Sequence, residues 1–242
     1  APAAPAPAAA ASPVNWKVDA GAASNDQAIQ VNAFLPREIN VNVGDTITWT
    51  NPAGEFHTVS FLSGQTPPQL IVVGPNGPDI NPVVAAPAGG PRYAGTGYFN
   101  SGLLFQGQTY TLGFAAVGNF PYVCLIHSEM KGEVHVRAAG TRYPKSQTLV
   151  NAEARVQRET LLGEGRALEA RARVDAVTAR TPSVTAGIGK LIPDKATLAV
   201  MRFVPDKKTI RAGETVTWTN RDPETPHTVT FVDELPKTAT GK

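Results

Sequence analysis

One short stretch near the middle of the chain carries three side chains that could bind a soft metal ion. It holds the single cysteine, Cys124, with His127 three positions later and Met130 three beyond that. A thiolate, an imidazole and a thioether are donors that suit copper, and a second imidazole would complete the two-histidine, one-cysteine set with a distant methionine that electron-transfer copper uses. We expect His57 to supply that imidazole, because it begins a predicted strand upstream.

Short strands separated by turns are predicted to position these residues. The alternation of Ile39, Val41 and Val43 with asparagines is typical of a strand with one buried face, and the pattern resumes over 46–50 after a Gly-Asp turn. No convincing helix is predicted before about residue 140. The sequence therefore predicts a mainly β fold, a β-sandwich or small barrel, for residues 14–140.

Two features of this region allow more than one interpretation. Residues 62–99 are rich in glycine and proline and are expected to form a surface excursion without regular elements, either a variable decoration or a docking surface or lid over the metal. Alternation over 131–137 points Val134 and Val136 inward, so His135 is expected at the surface.

The chain then changes character and repeats itself. Residues 141–182 are predicted to be a helical linker, broken into two shorter helices at Gly163 and Gly165, that packs against one or both domains. After it, the motif of residues 43–51 recurs at 212–220.

The repeat extends to a second histidine. Residues His57–Phe61 recur as His227–Phe231, and the offset changes from 169 at the tryptophans (218 − 49) to 170 at the histidines (227 − 57). Such matching indicates internal duplication. Residues 183–242 are therefore predicted to be the N-terminal part of a second β domain. With no second cysteine, His227 cannot complete a like site within this chain. We expect a piece of a longer protein, and completion by a second chain is the alternative.

Composition and charge narrow the possible partners and location. A formal net charge of +2, from 22 basic and 20 acidic residues, gives no basis for nucleic-acid binding, and no apolar run is long enough to span a membrane. Residues 1–13 are proline-spaced alanines, expected to form a disordered tail. Signal-peptide removal would leave such a start, so we expect export to the periplasm or the extracellular space, with truncation of the sequence as the alternative.

Together, these motifs resemble the cupredoxin family of blue copper proteins, the group of plastocyanin, amicyanin and pseudoazurin. The resemblance covers about residues 27–138, and about 200–234 as an N-terminal part only. It implies a Greek-key β-sandwich, one type 1 copper, and single-electron transfer between redox partner proteins. The copper ligands that it implies are His57, Cys124, His127 and Met130.

Two residues depart from the family pattern around the implied site. Ile126 stands where amicyanin and pseudoazurin have a proline before the loop histidine, so this position keeps an N–H that could reach the thiolate and raise the reduction potential. Thr58 stands where the family often has an asparagine that pins the loop. We expect the shorter hydroxyl of Thr58, or its backbone, to do this instead.

Two other functional classes are weighed against an electron carrier. Multicopper oxidases flank the copper cysteine with histidines, whereas Val123 and Leu125 stand here. A nitrite-reductase-like enzyme would need further histidines, and His135 and His227 are the only spare ones among four. A copper-handling module would favour several thiols or methionines, and the chain has one cysteine and two methionines. We therefore expect an electron carrier and no enzyme, although a longer chain would reopen the enzyme alternative.

Overall fold

The computed structural model describes residues 12–232, so most of the predicted tail at 1–13 lies outside the described residues. The elements in chain order are β1 (Asn15–Ala23), β2 (Ile29–Leu35), β3 (Glu38–Asn42), β4 (Thr46–Thr50), β5 (Ser60–Phe61), β6 (Ile71–Gly74), β7 (Gly77–Ile80), α1 (Pro82–Ala85), β8 (Pro87–Ala88), β9 (Arg92–Tyr93), β10 (Phe99–Ser101), β11 (Thr109–Phe114), β12 (Gly118–Val123), β13 (Lys131–Arg137), α2 (Gln147–Thr178), β14 (Ser183–Ile192), β15 (Ala196–Val204) and β16 (Thr217–Arg221).

Two sheets form the sandwich that was predicted. An eight-stranded sheet has the order β16-β14-β15-β2-β1-β4-β11-β9, and a six-stranded sheet has the order β3-β13-β12-β5-β10-β8. The main core between them is rich in aromatic side chains, and burying one phenylalanine contributes about 1.5–3 kcal/mol. Its largest members are Trp16, Phe34, Trp49, Phe61, Tyr93, Phe114 and Tyr122. The predicted mainly β sandwich is confirmed.

The two repeats share one sheet. β15 pairs antiparallel with β2, so the sheet runs without a break from the first repeat into the second. We call residues 14–140 the first unit and residues 183–232 the second unit. The division of the chain at these boundaries stays a prediction.

Helix α2 corrects the expectation of two shorter helices. It runs unbroken from Gln147 to Thr178, and the Ser146 side chain accepts a hydrogen bond from the Leu149 N–H at its start. The helix packs against β1, β2, β14 and β15. Gly165 faces β2 so closely that an added Cβ would lie 2.4 Å from Ile29 Cγ2. Tertiary packing therefore outweighs the low helix propensity of glycine here.

The segment 62–99 also differs from its expectation, because it holds short regular elements. β6 and β7 form a separate hairpin, β8 and β10 extend the six-stranded sheet, and β9 forms one edge of the eight-stranded sheet. Asn100 holds part of the segment in place: its Nδ2 donates to the carbonyls of Val84 and Ala86, and its Oδ1 accepts from the Ser60 hydroxyl. A buried amide that bridges two segments supplies order that glycine and proline content does not reveal.

None of the helices in the described part of the chain is both long enough and apolar enough to cross a membrane.

Candidate metal centre

His57 is placed by a backbone bridge and by a glycine. The predicted strand from residue 57 is shorter than expected, and His57 instead forms an isolated bridge in which its N–H donates to the Leu104 carbonyl and its own carbonyl accepts from the Leu104 N–H. Its ring lies against Gly21, where a Cβ would be 2.3 Å from Nε2 and where φ is +93°. Only glycine fits such a backbone without strain. The strand β1 thus fixes one face of the imidazole.

The other three candidate residues lie on the loop between β12 and β13. The Cys124 N–H donates to the Met130 carbonyl at 2.9 Å, and the Met130 N–H donates to the His127 carbonyl at 3.1 Å. These bonds close a tight loop whose ends continue into paired strands. A short loop between paired strands limits how far its side chains can shift.

The donor atoms converge. His57 Nδ1 and His127 Nδ1 are 3.2 Å apart, and Cys124 Sγ lies 3.7 Å from His127 Nδ1. The three donor atoms all lie within 4.8 Å of one another, and all three residues are buried. Met130 is fully buried on the same loop. The assignment of these four residues as ligands stays a prediction.

Two backbone amides surround the sulfur. The N–H groups of Thr58 and Ile126 donate to Cys124 Sγ at 3.3 and 3.4 Å. The Thr58 hydroxyl in turn accepts from the Leu125 N–H at 2.8 Å. The expected donor at Ile126 is thus present, and Thr58 pins the loop with both its hydroxyl and its backbone, as predicted.

Burial controls the charge of the three donors. Desolvation lowers the pKa of His57 well below its usual range and lowers the pKa of His127 to about 4, although the carboxylates of Glu224 and Asp222 act in the opposite direction on His127. Burial also raises the pKa of the Cys124 thiol, against the amide donors that favour the thiolate. At neutral pH both imidazoles are neutral and can offer a lone pair, while the thiol keeps its proton until a metal displaces it.

The two spare histidines lie apart from this cluster. His135 is half-buried rather than fully exposed, and its Nδ1 is 2.9 Å from Asn119 Oδ1. His227 lies against Gly187 in the second unit, and its Nε2 is 3.7 Å from Asp222 Oδ2. Neither belongs to the group of convergent donors found among residues 12–232.

One contact at this site was missed by the sequence analysis. The Ser128 N–H donates to Glu224 Oε1 at 2.8 Å, across 96 residues of sequence. Sequence alone could not have placed Glu224 beside the loop, because the contact depends on how the two units pack together.

Comparison with known proteins finds similarity to copper binding proteins, both in a family model and in a relative. A family model described as copper binding proteins of the plastocyanin/azurin family matches residues 16–137. Amicyanin-alpha of Methylorubrum extorquens is 30% identical over 118 residues, which are 49% of this chain and 76% of that protein.

Solved structures of amicyanin variants are also similar. An oxidised methionine-to-lysine variant is 23% identical and an oxidised proline-to-alanine variant is 22% identical, with TM-scores of 0.32 and 0.33. Each match covers 51% of this chain and 82% of the other. The family model matches about half of this chain, and a relative is 30% identical to it over 76% of that relative's length. This chain therefore belongs to the plastocyanin/azurin family of copper binding proteins.

Proposed function

We propose that this protein is an exported electron carrier with one type 1 copper. The proposed ligands are His57 and His127 through imidazole nitrogen, Cys124 through its thiolate and Met130 through a distant thioether. The observation that carries the proposal is the convergence of two Nδ1 atoms and one Sγ within 4.8 Å of one another. Donor and acceptor are redox partner proteins.

The donor set fits copper better than the common alternatives. Two imidazoles, one thiolate and a weak thioether match neither the oxygen ligands of calcium or magnesium nor the closed tetrahedral sets of structural zinc. When bound, copper supplies a reversible one-electron change between Cu(I) and Cu(II). The chain holds the donors in fixed positions and excludes water from them, since Cys124, His57 and His127 are all buried. A site that changes little between the two states favours fast transfer.

The two amides that donate to the sulfur are expected to raise the reduction potential of the copper. Donation from Thr58 and Ile126 stabilises negative charge on Cys124 Sγ, which weakens its donation to Cu(II) and raises the reduction potential. Ile126→Pro removes one of these donors. We expect the potential to fall in that variant, as measured by redox titration, and an unchanged potential would remove this role.

An electron carrier is favoured over a copper enzyme by the position of the remaining histidines. A second, catalytic copper would need His135 or His227 to join other nitrogen donors. Both lie apart from the convergent cluster in the described part of the chain. A copper-handling module remains the other candidate, and reversible redox cycling separates the two.

Absorption spectroscopy of the copper-loaded protein tests the proposal. We expect an intense visible band from thiolate-to-copper charge transfer, its loss in Cys124→Ser, and its retention in Met130→Leu with a changed potential. His135→Asn is the matched control, because this histidine lies outside the cluster, and it should keep the wild-type spectrum. A colourless wild-type protein after loading with cupric salt, or a band that survives in Cys124→Ser, would contradict the assignment.

As the alternative to a piece of a longer protein, we propose that the second unit pairs with a second copy of the chain. Phe203, Trp218 and Phe231 give this unit an exposed apolar face, which paired copies would bury. Sedimentation analysis should find a dimer that Phe231→Ser and Trp218→Ser dissociate. A monomer at all concentrations would rule out pairing through this face.

A further inference from the structure

The second unit holds the candidate ligand loop and the start of β13 through three residues, Ser128, Glu129 and Lys131. Ser128 donates to Glu224 Oε1 from its N–H at 2.8 Å and from its hydroxyl at 2.5 Å. The Glu129 carboxylate accepts from the Asp194 N–H at 2.7 Å, and Lys131 donates to Asp194 Oδ1 at 2.6 Å. The partners are far apart in sequence, so these contacts join the two units rather than bracing the loop from within.

Glu224 is presented on a turn that its own hydrogen bonds make rigid. Asp222 Oδ1 accepts from the N–H groups of Glu224 and Thr225 at 3.0 and 2.9 Å. Asn220 accepts from the Asp222 N–H at 2.7 Å and donates to the Thr225 carbonyl at 3.0 Å. The carboxylate that reaches Ser128 therefore stands on a preorganised support.

The same turn brings negative charge to the loop beside His127. Only 3% of the His127 surface is exposed, and Glu224 accepts from the N–H and the hydroxyl of Ser128, the next residue along the loop. Against the effect of burial, the carboxylates of Glu224 and Asp222 act to raise the pKa of His127. Glu224 Oε2 and Asp222 Oδ2 are buried without a hydrogen-bond partner in the described part of the chain. A partly buried charge is screened less than a fully exposed one, and negative charge beside a ligand would stabilise the more positive Cu(II) over Cu(I).

We propose that Glu224 is a positioning residue of the copper site: it fixes the ligand loop through Ser128, and its charge lowers the reduction potential of the metal. This inference rests on the proposed copper function. The second unit is then a working part of the site, although it supplies no copper ligand.

Hydrogen exchange of the metal-free chain tests whether Glu224 fixes the ligand loop through Ser128. Glu224→Ala removes the acceptor of the Ser128 N–H, and loss of a hydrogen bond to a charged group should speed exchange of that amide about tenfold. Glu159→Ala is the matched control, because Glu159 is an exposed acid on α2, and it should leave the Ser128 amide unchanged. Equal exchange in wild type and Glu224→Ala would overturn the clamp.

Redox titration of the copper-loaded protein tests whether the negative charge of Glu224 lowers the reduction potential. Glu224→Gln keeps an acceptor for Ser128 but removes the charge. At a fixed ambient potential it should raise the Cu(I) to Cu(II) ratio about tenfold, which for one electron is about 59 mV. Ser128→Ala keeps the carboxylate and Glu159→Gln removes a remote charge, so neither should produce this rise.

The two kinds of failure are distinguishable. If the wild type is blue and cycles reversibly but Glu224→Gln shifts no more than Glu159→Gln, the charge role is wrong and the proposed function stands. If the wild type takes up no copper, the proposed function fails, and the exchange experiment still decides whether Glu224 clamps the loop.

Discussion

The two repeats carry the same sequence motif and give it opposite surroundings. Phe61 of the first unit is 0% exposed, whereas its counterpart Phe231 in the second unit is 81% exposed. Trp49 is 0% exposed, and its counterpart Trp218 is 37% exposed. In the first unit Trp49 lies on the eight-stranded sheet and Phe61 on the six-stranded sheet that packs against it, whereas no described strand of the second unit forms such an opposing layer. An alternating apolar pattern therefore becomes a core only where a second layer packs on it.

Local features, in contrast, are the same in both repeats. A glycine with φ of +93° lies beneath the ring of His57, and a glycine with φ of +79°, Gly187, lies beneath the ring of His227. Each glycine stands at a register shift between the first two strands of its unit. Each unit therefore carries its own glycine against which the histidine ring packs. A metal site additionally needs donor residues from the opposite sheet.

Truncating the paired phenylalanines should give the largest contrast. Phe61→Ala opens a cavity in the main core and should lower the free energy of unfolding by about 3–5 kcal/mol. Phe231→Ala removes a largely exposed ring and should cost under about 1 kcal/mol. Chemical denaturation of both variants measures the difference. The comparison is made in dilute protein, where the chain is monomeric, and similar losses there would contradict the difference in burial; a larger loss for Phe231→Ala only at high concentration would indicate the proposed pairing.

Substituting the two equivalent glycines, Gly21 and Gly187, should affect the copper site differently. In Gly21→Ala the new Cβ would lie 2.3 Å from His57 Nε2, and the backbone would be strained by about 1–3 kcal/mol. The ring must move, so we expect a weaker visible copper band as well as lower stability. Gly187→Ala brings a Cβ 2.0 Å from His227 Nε2 and should strain the second unit while leaving the copper band unchanged. Equal effects on the band would contradict separate roles.

Two glycines in α2, Gly163 and Gly165, should give the smallest difference between paired substitutions. An added Cβ at Gly163 would meet only the flexible end of the Arg166 side chain, at 4.0 Å, so Gly163→Ala should stabilise the protein by about 0.5–1 kcal/mol through better helix propensity. Gly165→Ala would press a Cβ against Ile29 and should instead destabilise it by about 1–3 kcal/mol. Thermal unfolding of the two variants checks the sign. Stabilisation by both would mean that α2 does not pack closely on β2.

Sequence predicted the parts of this molecule that short-range chemistry controls. The spacing of Cys124, His127 and Met130 and the position of His57 predicted a donor set, and the convergence of three of these residues agrees with it. The alternating strands predicted the sandwich. The loop spacing and the strand alternation are readable because they depend on residue types a few positions apart, whereas His57 lies far from the loop in sequence and was inferred from its place at the start of a predicted strand.

The features that sequence missed depend on long-range packing. The continuous helix follows from a close approach of Gly165 to Ile29, which no local propensity reports. Part of the order in residues 62–99 comes from the buried amide of Asn100, which binds the carbonyls of Val84 and Ala86. The contact of Glu224 with Ser128 requires the two units to share one sheet, and repeat matching alone does not predict that arrangement.

X-ray absorption at the copper edge of the copper-loaded protein counts the donor atoms around the metal, and it therefore tests whether the proposed ligands bind it. We expect one short sulfur contact and two nitrogen contacts, with the sulfur contact absent in Cys124→Ser. A copper surrounded only by nitrogen and oxygen in the wild type would contradict it.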